Sequence, residues 1–235
     1  MYWEDQLSEN THVNDIIECK IETSSSLHFY GIVSGRQGSE FIQSIELHQE
    51  EKSNARMVSL NLNGKLTRKN WHLRMLGHHS YNDLSGIYLA SLNDVSDNHV
   101  LVDHMVENCQ SNQLFKGILT DNGKGVFNGK IYVREGAQKT LAYQSNKSLL
   151  LSENAEVNAK PQLEILADDV KCSHGATVGQ LDADALFYLK ARGIPEDSAK
   201  HILTQAFCAD VLAKIQNEAV REYLSEEIIK VLNLS

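Results

Sequence analysis

Apolar positions change their period once along the chain, near residue 180. Before that point they form short runs rich in Ile, Val, Leu, Tyr and Thr, broken by Asn, Asp, Gly and Ser. After it they fall at i, i+3 and i+4. Such a switch marks a β part joined to an α part. The β part predicts strands at Ser26–Val33, Phe41–Leu47, Ala55–Leu62, Trp71–Leu76, Ser85–Leu92, Val100–Val102, Gln113–Leu119, Gly125–Val133, Lys139–Gln144, Leu149–Leu151, Gln162–Leu166 and Thr177–Leu181. No helix of three turns fits between them. Many short strands without helices predict a sandwich, a barrel or a solenoid.

Weak repetition favours the solenoid. Ser85-Gly86-Ile87-Tyr88-Leu89 is similar to Lys116-Gly117-Ile118-Leu119. Asn128-Gly129-Lys130-Ile131 is echoed at Asn146-Lys147-Ser148-Leu149 and at Lys160-Pro161-Gln162-Leu163. The spacing, roughly 14 to 18 residues, suits small stacked units. The recurring Asn at these positions is expected at corners, where it tolerates left-handed backbone. A meander of hairpins is the competing topology.

The α part predicts three helices. Asp182 is placed to cap Ala183–Arg192, and Gly193 to stop it. Pro195 stands where a first helical position belongs, with Glu196 and Asp197 in the first turn. Ala199, Ile202, Leu203, Ala206, Phe207, Val211 and Ile215 then mark one apolar stripe. Asn217 opens a third helix carrying Val220, Tyr223, Leu224, Ile228, Val231 and Leu232. Short amphipathic helices must bury such stripes on the β part, on each other or on a partner.

Composition narrows the function. The chain has 235 residues, 42% of them apolar and 23% charged, so it can build a core. Thirty-one acids against 22 bases give a net charge of −9, which argues against a nucleic-acid partner. No apolar run reaches the about 18 residues needed to cross a bilayer. Met1–Lys20 lacks the basic start and apolar stretch of a secretion signal. Cys19, Cys109, Cys172 and Cys208 are far apart, with no CxxC, as expected of reduced thiols in a cytoplasm.

Common catalytic motifs are missing. Gly125-Val126-Phe127-Asn128-Gly129-Lys130-Ile131 is one residue short of a phosphate loop, with Ile131 where Ser or Thr would hold Mg²⁺. Gly123-Lys124-Gly125 with Gly129 misses the dinucleotide fingerprint by one residue. His78 and His79 would point to opposite faces of a strand, as would His99 and His104, so neither pair suggests a shared metal. One segment stands apart, Asp168 to Leu181. On a strand, Cys172 and His174 would share a face, and a thiolate beside an imidazole can hold Fe or Zn. Lys171 would lie on the other face and lower the thiol pKa little. A buried Cys beside a hydrogen-bonded His is the competing reading.

Asp168–Gln180, with Leu186-Phe187-Tyr188-Leu189-Lys190-Ala191-Arg192-Gly193-Ile194, resembles the C-terminal signature of the SufB/SufD family of iron–sulfur cluster assembly proteins. Asp97-Asn98-His99, Val102-Asp103-His104, Ser111-Asn112-Gln113-Leu114-Phe115-Lys116-Gly117-Ile118 and Gln144-Ser145-Asn146-Lys147 extend the similarity, which is dense from about Leu84 to Ile215. Cys172-Ser173-His174-Gly175 resembles the SufD branch rather than the SufB branch.

The resemblance implies a right-handed parallel β-helix over residues 1–181, shorter at its N-terminal end than is usual, followed by a helical domain over 182–235. It implies a non-catalytic scaffold subunit of the SufBCD complex in the cytoplasm, with ATPase activity confined to the SufC-like partner. His174 then matches the residue implicated in cluster assembly at the interface with a SufB-like subunit, and Cys172 its neighbouring thiol. The helical region looks like the SufC-docking surface, with Phe187, Tyr188, Arg192, Phe207 and Val211 as contact candidates. Clusters take about four protein ligands. Cys172 and His174 supply two at most, Cys109 is a candidate to approach across coils, and Cys208 reads as helix packing. The cofactor expected is therefore a transient Fe–S cluster, or iron, shared with the partner. Flavin binding and a homodimer of the isolated chain stay open. The other classes weighed are a secreted-type carbohydrate-active β-helix enzyme, for which Asp168-Asp169 makes a poor acid/base pair, and a zinc-binding interaction module without the usual CxxC.

Overall fold

The computed structural model describes residues 2–36 and 38–233. Among them the strands, in chain order, are β1 (Tyr2–Leu7), β2 (His12–Ile21), β3 (Ser26–Gly35), β4 (Glu40–Gln49), β5 (Asn54–Leu62), β6 (Leu66–Met75), β7 (Tyr81–Ala90), β8 (Val95–His104), β9 (Gln110–Leu119), β10 (Lys124–Val133), β11 (Leu141–Leu150), β12 (Glu156–Ile165) and β13 (Lys171–Gly179). Helices α1 (Ala183–Ala191), α2 (Glu196–Leu212) and α3 (Glu218–Asn233) follow. The strands sort by parity. Odd strands form a seven-stranded sheet and even strands a six-stranded one, all pairing parallel. The two sheets are opposite walls of a β-solenoid of about six turns, as the sequence repetition predicts.

One full turn takes 28 residues from Tyr2 to Tyr30, 26 from Glu40 to Leu66 and 32 from Lys124 to Glu156. The 14–18-residue echo in the sequence is therefore the half turn, from one wall to the other. Asn128, on β10, pairs with Lys160 on β12, whereas Asn146 lies on β11 in the opposite wall. The role expected of Asn128 and Asn146 is corrected by this placement: both are in mid-strand. The left-handed corners fall at Asn10, Asn63 and Asn108, but also at Lys52, His79, Leu92, Asp121 and Lys139. Backbone hydrogen bonds between turns, such as Asn108 N–H to Gln138 O at 2.9 Å, hold these corners in stacks. Corner identity is thus set by the stacking as much as by residue preference.

Other expectations shift as well. The sequence reading marks no strand before Ser26, yet β1 and β2 lie there. Lys139–Gln144 and Leu149–Leu151 are not two strands; Lys139 is a corner with φ of 58°, and one strand, β11, runs from Leu141 to Leu150. His78 and His79 sit in a turn rather than on a strand. His99 and His104 do take opposite faces of β8, His99 half-buried on the outside and His104 fully buried inside, its Nε2 2.8 Å from Ser111 Oγ. Burial pushes the His104 pKa down to about 4, so this imidazole is neutral in the core.

Burial explains why the strands read so differently. β4 and β6 bury every second residue, because one face meets the core and the other meets solvent. β3, β5, β7 and β9 instead carry continuous buried runs. Their outer face lies under α2 and α3, where Ile32, Leu60 and Ile87 meet Val211, Leu224 and Ile228. Lys116 reinforces this seam. It projects from β9, is almost fully buried, donates to the Phe207 carbonyl, pairs with Asp210 and stands 4.6 Å from the Phe207 ring centroid. Lys214 reaches Asp83 at 2.6 Å, and Tyr223 donates its hydroxyl to Glu4 at 2.6 Å. α1 buries no residue. Asp182 caps it as expected, its Oδ1 accepting from the amides of Asp184 and Ala185 at 2.9 Å. Pro195 is the N-cap of α2 rather than its first residue. No helix among the described residues is long and apolar enough to cross a membrane.

Inside the solenoid, aromatic side chains fill space that neighbouring turns leave empty. Tyr88 is fully buried and donates to Ser148 Oγ at 2.9 Å or Asn146 Oδ1 at 3.2 Å. Its ring lies over Gly117 on the next odd strand, where any Cβ would overlap it. Gly117→Ala is expected to destabilise the chain by about 1–3 kcal/mol, the usual cost of overpacking a rigid core. Urea unfolding of the two proteins checks this.

Candidate functional site

β13 is the last strand of the odd sheet, so its residues extend columns of side chains that run through the whole solenoid. In register, Cys172 stands beside Ala142 and His174 beside Gln144. Ala142 and Gln144 are both buried, inward positions of β11. Cys172 and His174 therefore share the inward face, as their two-residue separation predicts. Among the described residues no strand covers β13 on its far side. The inward face of this last turn consequently opens to solvent instead of closing into core. Cys172 is half-buried, packed against the cluster of Ile131, Val133, Ala137, Ala142 and Ala167. His174 is exposed and makes no hydrogen bond or ion pair among the described residues.

Burial raises the Cys172 thiol pKa, and a backbone hydrogen bond with Ala142 offsets this only in part. Lys171 plays no part in it, in line with its place on the outward face. The thiol is thus protonated at neutral pH and loses its proton only to a metal or another strong electrophile. One thiol and one imidazole are an incomplete donor set. Among the described residues no group of three or more His, Cys, Asp or Glu is arranged to hold a metal ion. Such a pair offers one sulfur and one nitrogen donor, of the kind that soft and borderline metals take.

The remaining thiols stand elsewhere. Cys109 is fully buried before β9, hydrogen-bonded with Ser80 Oγ at 3.2 Å. β11 lies between β9 and β13, which separates Cys109 from Cys172 by two strand spacings, about 10 Å. The expectation that Cys109 approaches across coils is corrected by that intervening strand. Cys208 is sealed under α2 and its pKa is pushed up to about 12 by burial. Cys19 belongs to β2, at the other end of the solenoid. All four are free.

The helical candidates divide in two. Phe187 and Tyr188 are 72% and 57% exposed on α1, and Arg192 stacks 5.1 Å from the Tyr188 ring centroid. Val211 is fully buried and Phe207 half-buried, both within the seam between α2 and the odd sheet. The partner-contact role expected of Val211 is therefore corrected: its side chain is spent on the chain's own core. Two surfaces escaped the sequence reading. Ile165, Leu166 and Val178 are exposed on or just after the last strand of each wall. A cleft between α2 and α3, lined by Ala209, Leu212, Arg221, Ser225 and Ile229, is also open. The first group was legible only as strand residues, because exposure at a solenoid end has no signature in period.

The chain is thus a parallel solenoid whose last strand carries a half-buried thiol and an exposed imidazole, with a helical unit packed along one wall. The family model for "SUF system FeS cluster assembly, SufBD core domain" matches residues 2–207. The chain belongs to this SufBD core family of the SUF iron–sulfur cluster assembly system. It is 38% identical over 178 residues to the iron-sulfur cluster assembly protein SufD of Escherichia coli, covering 76% of this chain and 42% of that protein. It is 35% identical over 212 residues to Protein ABCI7, chloroplastic, of Arabidopsis thaliana, covering 89% of this chain and 44% of that one. A SufBD family protein of Synechocystis, slr0076, is 37% identical over 174 residues, covering 74% of this chain and 38% of it. The chain thus spans less than half the length of these curated relatives.

With the native chain held at pH 8, an alkylating reagent is expected to modify Cys172 slowly and to spare Cys109 and Cys208, all four reacting once the chain is unfolded. Peptide mass spectrometry reads this directly. Glu196, at the start of α2, is held at about 2 by hydrogen bonds from Lys190 and Lys200, against an ordinary value of 4.5. Since the folded pKa is depressed, the link between α1 and α2 is strongest above pH 4.5 and weakens as pH falls toward 2. An NMR titration should find the Glu196 midpoint near 2 and, in Lys190→Met, distinctly higher.

Proposed function

We propose that the chain is a non-catalytic scaffold subunit of a SufBCD-type assembly complex in the cytoplasm. It pairs with a SufB-like subunit at the open end of the solenoid and docks a SufC-like ATPase through its helices. The observation that carries this reading is the position of Cys172 and His174. They are two donors on the inward face of an uncovered terminal turn that also exposes Ile165, Leu166 and Val178. An uncovered edge strand is a template for pairing with another chain. A partner strand laid against β13 would continue the hydrogen-bonded wall and bring its own ligands beside the pair.

The chemistry suits a cargo that must leave. Iron bound by one thiolate and one imidazole from this chain, with the rest from a second chain, is held only while both stay together. Cys172 releases its proton as iron binds, and His174 binds as the neutral ring. A separation of the subunits would strip half the ligands at once. Phe187 and Tyr188 on α1, with the open α2–α3 cleft, provide apolar surface that a second partner can cover.

Co-expression with SufB-like and SufC-like proteins tests the assignment. The three chains are expected to co-purify, and His174→Ala is expected to leave that assembly intact while cluster content, read as iron and acid-labile sulfide under anaerobic conditions, drops at least about tenfold. Wild-type cluster levels in His174→Ala would remove His174 from the site. For docking, Phe187→Ala with Tyr188→Ala is the sharper experiment than removal of residues 182–235. Without α2 and α3 the apolar outer face of β3, β5 and β7 would be stripped bare. Retention of the ATPase by the double variant at wild-type affinity would move its contact off α1.

A further inference from the structure

We infer that Gln144 is a positioning residue for His174: its side-chain oxygen accepts one ring N–H of the imidazole and turns the other nitrogen, as a lone pair, toward the open end of the solenoid. This deepens the reading of His174 as an iron ligand and rests on it. Three residues stack in register along the inward face of β9, β11 and β13, namely Gln113, Gln144 and His174. Earlier members of the same column are Phe29, Met57 and Leu84, all apolar and buried. Two glutamines directly behind an exposed histidine interrupt a column that packing alone fills with hydrocarbon.

Both amides are 3% exposed, and Gln144 Nε2 donates to Gln113 Oε1 at 2.8 Å. In this arrangement the Nε2 end of the Gln144 amide faces Gln113, whose own Nε2 has no hydrogen-bond partner. The other end of the Gln144 amide, Oε1, is buried without a hydrogen-bond partner. The seat is shaped for this amide. Across the interior stands Gly129 on β10, and any Cβ there would collide with Gln144 Nε2 and Cδ. His174 is the next side chain in the column and is itself unpartnered. A buried acceptor without a partner thus stands on the strand next to an exposed ring without one, and the two are not bonded in this structure; the proposed bond forms by rotation of the exposed His174 side chain. A ligating imidazole characteristically gives its second N–H to such an acceptor, which fixes the tautomer and the ring plane. Gln113, locking Gln144 from behind, would complete a three-residue ladder from core to site.

Long-range ¹H–¹⁵N spectra of the ¹⁵N-labelled full chain, free of iron, read the His174 tautomer. One tautomer is expected to dominate by about five- to tenfold, as a hydrogen bond of ordinary net strength requires. In Gln144→Met the ratio should collapse to that of a solvent-exposed imidazole, and in Gln144→Glu, which keeps an acceptor at the same reach, it should persist. An unchanged ratio in Gln144→Met overturns the proposal. If that variant does not fold, Gln144→Asn, too short to reach the ring, serves with the same two outcomes. The measurement needs no cluster. A tautomer that follows Gln144 while His174→Ala assembles clusters normally would leave the positioning intact and remove the ligand role instead.

Discussion

A solenoid covers the inside of each turn only with the turn next to it. Every buried column in this protein, apolar or polar, exists because an in-register parallel strand lies on either side. The rule has an unavoidable exception at an end, where the last turn must present interior-type residues to water or to another molecule. β13 is such a turn. Its inward face carries a thiol and an imidazole in two columns that begin with Leu27 and Phe29 and reach Ala142 and Gln144 on the strand before it. The chemistry of the site is therefore an outcome of where the stacking stops.

The same constraint explains the helices. The odd wall has apolar residues on both faces through β3, β5, β7 and β9, so its outside needs a cover as much as its inside needs the even wall. α2 and α3 provide it, and Lys116 ties the cover down with a charge that is nearly inaccessible to water. α1 is left without buried residues and stands free of that layer. Packing thus separates a structural pair of helices from one whose aromatic residues stay largely exposed, with the Arg192 guanidinium over the Tyr188 ring.

Much of this was legible in the chain before any coordinates. The strand segments Phe41–Leu47 and Ala55–Leu62 lie within β4 and β5, and Trp71–Leu76 overlaps β6, but double coverage of a wall is not legible, since Val58-Ser59-Leu60-Asn61-Leu62 alternates in sequence and is buried throughout. The two-residue step from Cys172 to His174 placed them together. The length of a turn is obscured because the echoes at Asn128, Asn146 and Lys160 alternate between walls, each step being half the true period. Nor were the corners, since Lys52 and Lys139 adopt left-handed backbone under the pull of stacked neighbours rather than by preference. Val211 shows a further limit: a helical stripe announces that something will cover it, not whether that cover is the chain itself. Gln113 and Gln144 lie in segments that resemble the family, but only the register reveals that they stand behind His174.

The turns differ in length by several residues while most of the strands hold to ten. All of that variation is absorbed at the corners, outside the hydrogen-bonded walls. Insertions and deletions can therefore accumulate at the bends without sliding one strand against the next. The alignment of the inner columns is insulated from drift in the loops, so a ligand borne on the final strand keeps its seat above the same supporting side chains however the rims are remodelled.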